Sequence, residues 1–197
     1  MSDADDRRRS SRRQLLLIAS IFLVPLLAAA ALYFSSNWRP AVGAHGTLID
    51  PPRPLPQVTL ELPDGSNAST ELLSGRWSLV YLAGGDCAER SRAVLTELAR
   101  LRLALGKDAA RVRRILLHAG ECTAVEFPSA ESDLLVLRTA GNEGVALRAL
   151  FPPAADGARG IYIVDPHGNL LMSYPASGSA RGLLKDLERL LRLSSIG

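Results

Sequence analysis

Residues 15–34, LLLIASIFLVPLLAAAALYF, form an uncharged run of 20 residues that dictates the surroundings this chain can fold in. At about 1.5 Å per residue, a helix of that length matches a hydrocarbon core of roughly 30 Å. The run therefore predicts one transmembrane helix. Pro25 at its middle is a kink that membrane helices tolerate, and Tyr33 and Trp38 fall where an aromatic interfacial belt belongs. The segment before it, MSDADDRRRSSRRQ, sets five arginines against three aspartates and supplies +2 of the formal net charge of +3. Positive residues stay on the cytoplasmic side, so the N-terminus is expected in the cytoplasm and the bulk of the chain across the membrane. A cleaved signal peptide is the competing assignment. Ala28 to Ala31 offer small residues for cleavage, but the run exceeds the usual 7–15 or so apolar residues of such a peptide.

Beyond residue 14 the sequence is nearly neutral. It shows no lysine and arginine stripe interleaved with aromatic residues, so no nucleic-acid partner is expected. A chain of 197 residues with 47% hydrophobic content can bury one core and hardly two. Five prolines fall within SSNWRPAVGAHGTLIDPPRPLPQ, which has little apolar periodicity and reads as an extended, semi-rigid spacer. The expected organisation is a basic cytoplasmic tail over 1–14, the membrane helix over 15–34, a proline-rich spacer over 35–56 and one globular domain over 57–197.

Within that domain QVTLEL alternates like a strand, PDGS supplies a turn, and STELLSGRWSLVYL brings a second apolar segment. From Asp86 to Leu105 the period changes. Val94, Leu98, Leu101 and Leu105 recur at helical spacing, and Gly106 stands where a C-terminal cap is wanted. VRRILLH and LLVLRT read as further strands and residues 143–150 as a short helix. GIYIVDPHGNLLMSY is a hairpin, because Pro166 presets the turn and Gly168 accepts a positive φ. A last helix runs from Ser179 to Leu193, with Leu183, Leu187, Leu190 and Leu191 on one face and Lys185, Glu188, Arg189 and Arg192 on the other. This order of elements predicts an α/β fold, a thioredoxin-like mixed sheet flanked by helices.

The same order puts Cys87 after the first core strand, at the start of the long helix, where thioredoxin-like proteins keep a reactive thiol. Free N–H groups and the positive end of the helix dipole favour a thiolate there, the form that attacks disulfides or binds metal. Asp86 and Glu89, however, form D-x-x-E, a variant of the capping box, so helix initiation alone accounts for these neighbours. Asp86 also puts negative charge beside the sulfur. On the residues, a reactive and a passive Cys87 both stay open.

The membrane run, the spacer, GGDCAERS, RLALGKD, IYIVDPHGNLLMSYP and GLLKDLERLL together resemble the Sco/SenC-like cytochrome oxidase assembly proteins, and a divergent bacterial branch of them in particular. The resemblance covers the whole chain. It implies a single-pass protein of the bacterial inner membrane whose domain is periplasmic and whose partners are oxidase subunits or other assembly factors. Family members hold copper with two cysteines spaced C-x-x-x-C at the start of the long helix and one histidine shortly before the hairpin. Cys87 matches the first cysteine. The second falls on Ser91 and the histidine at about Gly157, which implies a degenerate copper motif, since copper(I) prefers soft thiolates and a hydroxyl is a poor substitute. No cofactor is expected on that basis, and the implied role is a non-catalytic assembly factor.

The alternative is a thiol-disulfide oxidoreductase or copper chaperone acting through Cys87. Cys122 follows VRRILLH in HAGEC, and in a parallel βαβ unit the loops after both strands leave the sheet at one edge, which would make Cys122 a resolving thiol. His118 lies at that edge too and would complete a relocated soft-metal cluster of Cys87, Cys122 and His118, although a lone histidine closing a strand is commonly hydrogen-bonded structure. His45 belongs to the spacer and His167 to the turn. No G-x-S-x-G, phosphate loop, H-E-x-x-H or paired metal-site cysteines are present.

Overall fold

A computed structural model of the chain describes residues 17–28, 30–31, 43–83, 88–119, 133–154 and 160–196. The chain divides into two units, residues 1–43 and 44–197. In the first, residues 17–28 and 30–31 are helical. Among the described residues no helix is long and apolar enough to cross a membrane; of the helix expected over 15–34, the ends of the run and Ala29 lie outside the described residues. That part has no polar face. Leu17, Ile18, Ile21, Phe22, Val24 and Leu27 are each more than half exposed, and the hydroxyl of Ser20 donates back to the Leu17 carbonyl at 2.9 Å.

In the second unit the described strands are β1 (Thr47–Pro54), β2 (Thr59–Glu61), β3 (Asn67–Ser69), β4 (Trp77–Leu82), β5 (Val112–His118), β6 (Leu134–Arg138), β7 (Gly160–Val164) and β8 (Asn169–Pro175). The helices are α1 (Ala88–Ala104), α2 (Gly141–Ala149) and α3 (Ala180–Leu193). All eight strands join one sheet in the order β1-β8-β7-β4-β5-β6-β2-β3. At its centre, WSLVYL of β4 is buried at every position, as a strand covered on both faces must be. Its side chains alternate between two cores. Trp77, Leu79 and Tyr81 pack with Leu98 and Leu101 of α1 and Leu183 and Leu187 of α3, whereas Val80 and Leu82 pack with Leu147 of α2 and Phe151.

β4, β5 and β6 run parallel, with Trp77 opposite Val112 and Leu82 opposite Leu117, while β7 and β8 return antiparallel. This is the expected thioredoxin-like mixed sheet with helices on both faces. The expected hairpin is there as well. Gly168 takes φ +83°, and the Asp165 carboxylate accepts the N–H groups of His167 and Asn169 at 2.9 and 2.8 Å.

The sheet is wider than the sequence pattern implies. The stretch expected as spacer over 35–56 contains β1, which pairs antiparallel with β8, Thr47 opposite Ser173 and Pro54 opposite Asn169. Residues 47–54 of it are an edge strand of the sheet. Pro51, Pro52 and Pro54 cannot donate backbone hydrogen bonds, so they suit an outer position and blunt it against further pairing. The strand expected in QVTLEL is shortened to β2, which forms a small antiparallel pair with β3 and meets β6 only at Glu61 opposite Arg138.

Candidate functional site

Because β4, β5 and β6 are parallel, they end at one edge of the sheet, at Ala83, His118 and Thr139. Ligands of open α/β sheets gather at such an edge, and Cys87 and Cys122 follow β4 and β5 in the sequence. Cys87, Cys122 and Gly157 lie outside the described residues. Ser91 and His118 lie within them.

The edge is tied together by polar contacts. The Ala83 N–H donates to Leu117 O at 2.9 Å, and the Thr139 N–H and hydroxyl both donate to His118 O, at 2.7 and 2.8 Å. Arg148 reaches over from α2. Its guanidinium donates to Thr139 Oγ1 at 3.2 Å and to Ala83 O at 3.0 Å, joining the ends of β4 and β6 across β5. Sequence reading missed Arg148, since nothing in the pattern of a short helix indicates that one arginine spans three strand ends.

His118 is buried, on the same face of β5 as Leu116, the face α1 covers. Burial, reinforced by the positive charge of Arg138 and opposed by Glu61, holds its imidazole below the ordinary value, so it is neutral at pH 7. A neutral imidazole is the ligating form, but among the described residues no three His, Cys, Asp or Glu side chains come close enough to hold a metal.

Ser91 belongs to the inward stripe of α1, together with Val94, Leu95 and Leu98, and is only 1% exposed. Its hydroxyl has no hydrogen-bond partner among the described residues. A buried, unsatisfied hydroxyl is a hard donor at the position where the resemblance calls for a thiolate, and it does not fit copper(I). It is also a cost to the fold. Ser91→Ala and Ser91→Cys are each expected to raise stability by about 1 kcal/mol, because either removes the desolvation penalty of an unpaired hydroxyl. A shift of the denaturation midpoint to higher denaturant checks this, and a clear loss would show that the hydroxyl is satisfied.

A second polar centre was not foreseen. Asp186 of α3 is 6% exposed, yet its carboxylate accepts the backbone N–H of His45 at 2.7 Å, that of Gly46 at 3.1 Å and the hydroxyl of Tyr174 at 2.9 Å, with His45 Nδ1 at 3.3 Å. Burial alone would push this carboxyl up, but the bonds from Tyr174, Gly46 and His45 together hold it below the ordinary carboxylate range. Burial and the adjacent carboxylate push the Tyr174 phenol up. The packing leaves no room for larger residues. A Cβ on Gly182 would stand 2.7 Å from His45 Cβ, and one on Gly46 would meet the Tyr174 ring. His45, expected in a semi-rigid spacer, is thus pinned to the last helix, and the cluster's work is to fasten the chain where it enters the domain.

Comparison with known proteins agrees with this architecture. Residues 77–194, more than half of the chain, match the family described as transmembrane-like, thioredoxin-like, C-terminal domain. Residues 4–36 match the transmembrane-like, N-terminal domain. No curated protein sequence matches the chain. Among solved structures, the apo Sco1 protein from Thermus thermophilus superposes with a TM-score of 0.58 at 20% identity, covering 74% of this chain and 96% of that one. Bradyrhizobium japonicum ScoI with copper bound gives 0.52 at 20% identity, covering 69% and 98%. BsSco, a member of the Sco family of cytochrome c oxidase assembly proteins, gives 0.54 at 19% identity, covering 75% and 99%. At such identities the likeness establishes a shared fold and leaves activity to the residues.

Proposed function

The chain belongs to the transmembrane-like, thioredoxin-like, C-terminal domain family, and from that premise we propose that it is a membrane-anchored accessory factor for cytochrome c oxidase assembly, working by protein recognition and not by chemistry of its own. The observation that carries this reading is Ser91. Among the described residues the thioredoxin-like sheet order, hairpin and helices are present, while Ser91, where the resemblance puts the second ligand, holds a buried hydroxyl with no partner among them. A scaffold kept without its donor set is best suited to binding. The anchor is residues 15–34. Support for it comes from the described helical part, whose apolar side chains are exposed all round, a state stable in lipid and costly in water. The arginines of the tail place the N-terminus in the cytoplasm and the domain in the periplasm of a bacterial inner membrane.

One observation favours a second reading. His118, buried and neutral, is a competent ligand or base at the strand-end edge, and Cys87 and Cys122 follow β4 and β5 in the sequence. In that reading the protein is a thiol-disulfide oxidoreductase or copper chaperone acting through Cys87. The two separate in complementation of a strain lacking the chain. Cys87→Ala is expected to restore cytochrome oxidase activity as fully as the unaltered chain does, and the reduced protein is expected to yield copper(I) to a strong chelator. Failure of Cys87→Ala to restore oxidase, at normal membrane levels of the variant, would establish the second reading instead.

A further inference from the structure

On the outer surface of the domain, α1 and α3 leave a groove of about 830 Å³ between them. Its apolar lining is small, with Ala93 and Leu101 from α1 and Ala180 and Leu184 from α3. Its rim is cationic. Arg92 and Arg100 stand on one side and Arg181 on the other, with Glu97 as the one carboxylate in the lining. All three arginines are exposed, and none is paired with a carboxylate among the described residues. The charge continues along α3. Lys185, Arg189 and Arg192 follow Arg181 at i+4, i+8 and i+11, all exposed, with Glu188 the only acid on that stripe.

Three unpaired guanidinium groups around an apolar lining form a surface whose complement is an element with carboxylates along its flanks and small apolar residues between them. Helix-in-groove recognition has this pattern, in which the apolar face enters the groove and charges at the rim set orientation and association rate. We propose that the α1/α3 groove is the docking site for an acidic amphipathic helix of a protein partner. A lipid surface fits less well. Interfacial binding relies on apolar and aromatic side chains that protrude into the headgroups, whereas here the apolar lining is two alanines and two leucines and no aromatic residue lines the groove. The groove supplies the assembly role with a partner chemistry but does not depend on that role, since it makes no use of the strand-end edge.

The test uses the full chain in nanodiscs of zwitterionic lipid, titrated with a labelled synthetic helix bearing leucine and alanine on one face and glutamate on its flanks. Saturable binding that weakens as salt is raised is expected. Reversing Arg92, Arg100 and Arg181 together to Glu is expected to weaken it about tenfold or more, because three exposed charge pairs are lost and each is replaced by repulsion. Ala93→Trp fills the groove without changing charge and is expected to abolish binding as well. Reversal of Arg53, Arg76 and Lys107, exposed cations elsewhere on the domain, is expected to leave affinity within about twofold, as distant surface charges are screened. The proposal is overturned if the peptide does not bind, if the two triple reversals weaken binding equally, or if a lysine-flanked peptide binds as well. It is likewise overturned if vesicles of anionic phosphatidylglycerol, and not the peptide, bind in a manner that the groove reversal abolishes.

Discussion

Asp133→Ala is expected to cost the domain about 3–5 kcal/mol, the penalty for removing one partner of a buried ion pair, out of a total stability of about 5–15 kcal/mol. Arg114 lies on β5 with 2% of its surface exposed, and its side chain runs under α1. Its guanidinium donates twice to Asp133, at 2.8 and 3.1 Å, and once to the Leu95 carbonyl of α1 at 3.0 Å. Arg102 of α1 adds an ion pair to the same carboxylate at 3.4 Å while its Nε donates to Val112 O at 2.6 Å. Helix, strand β5 and the start of β6 are thus fastened through one aspartate. Truncating it strands cationic charge in the interior. Chemical denaturation of the full chain reads the loss, and the paired replacement Arg114→Met with Asp133→Leu is expected to recover most of it, since the penalty comes from the uncompensated charge and not from the vanished bonds. A loss below 1 kcal/mol for Asp133→Ala would show that the pair is solvated. The Arg138 and Glu61 pair offers the contrast. Both side chains are about two-fifths exposed, and breaking it is expected to cost under about 1 kcal/mol.

Asp186→Ala is the second large effect, expected at about 3 kcal/mol. It leaves two backbone N–H groups and a phenol facing a cavity where a carboxylate had accepted from all three. The consequence extends to acid stability. Asp133 and Asp186 are both held below the usual carboxylate value, burial in each case being outweighed, for Asp133 by the bonds and charge of Arg114 with Arg102 behind it. A carboxyl whose folded value lies below its unfolded one stabilises fully above about pH 4 and loses that contribution as pH falls through the folded value. Asp186→Asn is therefore expected to be less stable than the unaltered chain at pH 7 and to lose less on going from pH 5 to pH 3. Parallel curves over that range would mean Asp186 titrates alike in the folded and unfolded states.

Local elements could be read from the chain because their causes are local. The α1 stripe of Val94, Leu98 and Leu101 repeats at helical spacing, the apolar segment WSLVYL needs nothing beyond β4 itself, and Pro166 and Gly168 specify a turn within four residues. The resemblance placed Ser91 on the ligand position, and the structure adds that this hydroxyl is buried and without a partner among the described residues, which no spacing could tell. β1 escaped notice because proline-rich composition marks extended backbone equally well whether it is free or paired, and the partner β8 lies more than a hundred residues away.

What the sequence by itself determined is therefore periodicity and punctuation, hence element type, element order and through them the fold class, along with the apolar run and charge bias that argue for an anchor. Tertiary structure alone decided which polar groups meet. Arg114 is one more basic residue in VRRILLH until the fold closes Asp133 onto it, and Asp186 is one more acid in GLLKDLERLL until His45, Gly46 and Tyr174 converge on it from two strands' ends. The arginines of the α1/α3 groove become one surface only when two helices far apart in sequence pack side by side. The physical reason is common to all three. Hydrophobic burial acts through pattern and needs no particular partner, whereas a buried charge or hydrogen bond is defined by its partner, and partners separated by tens of residues become neighbours only after the core has formed.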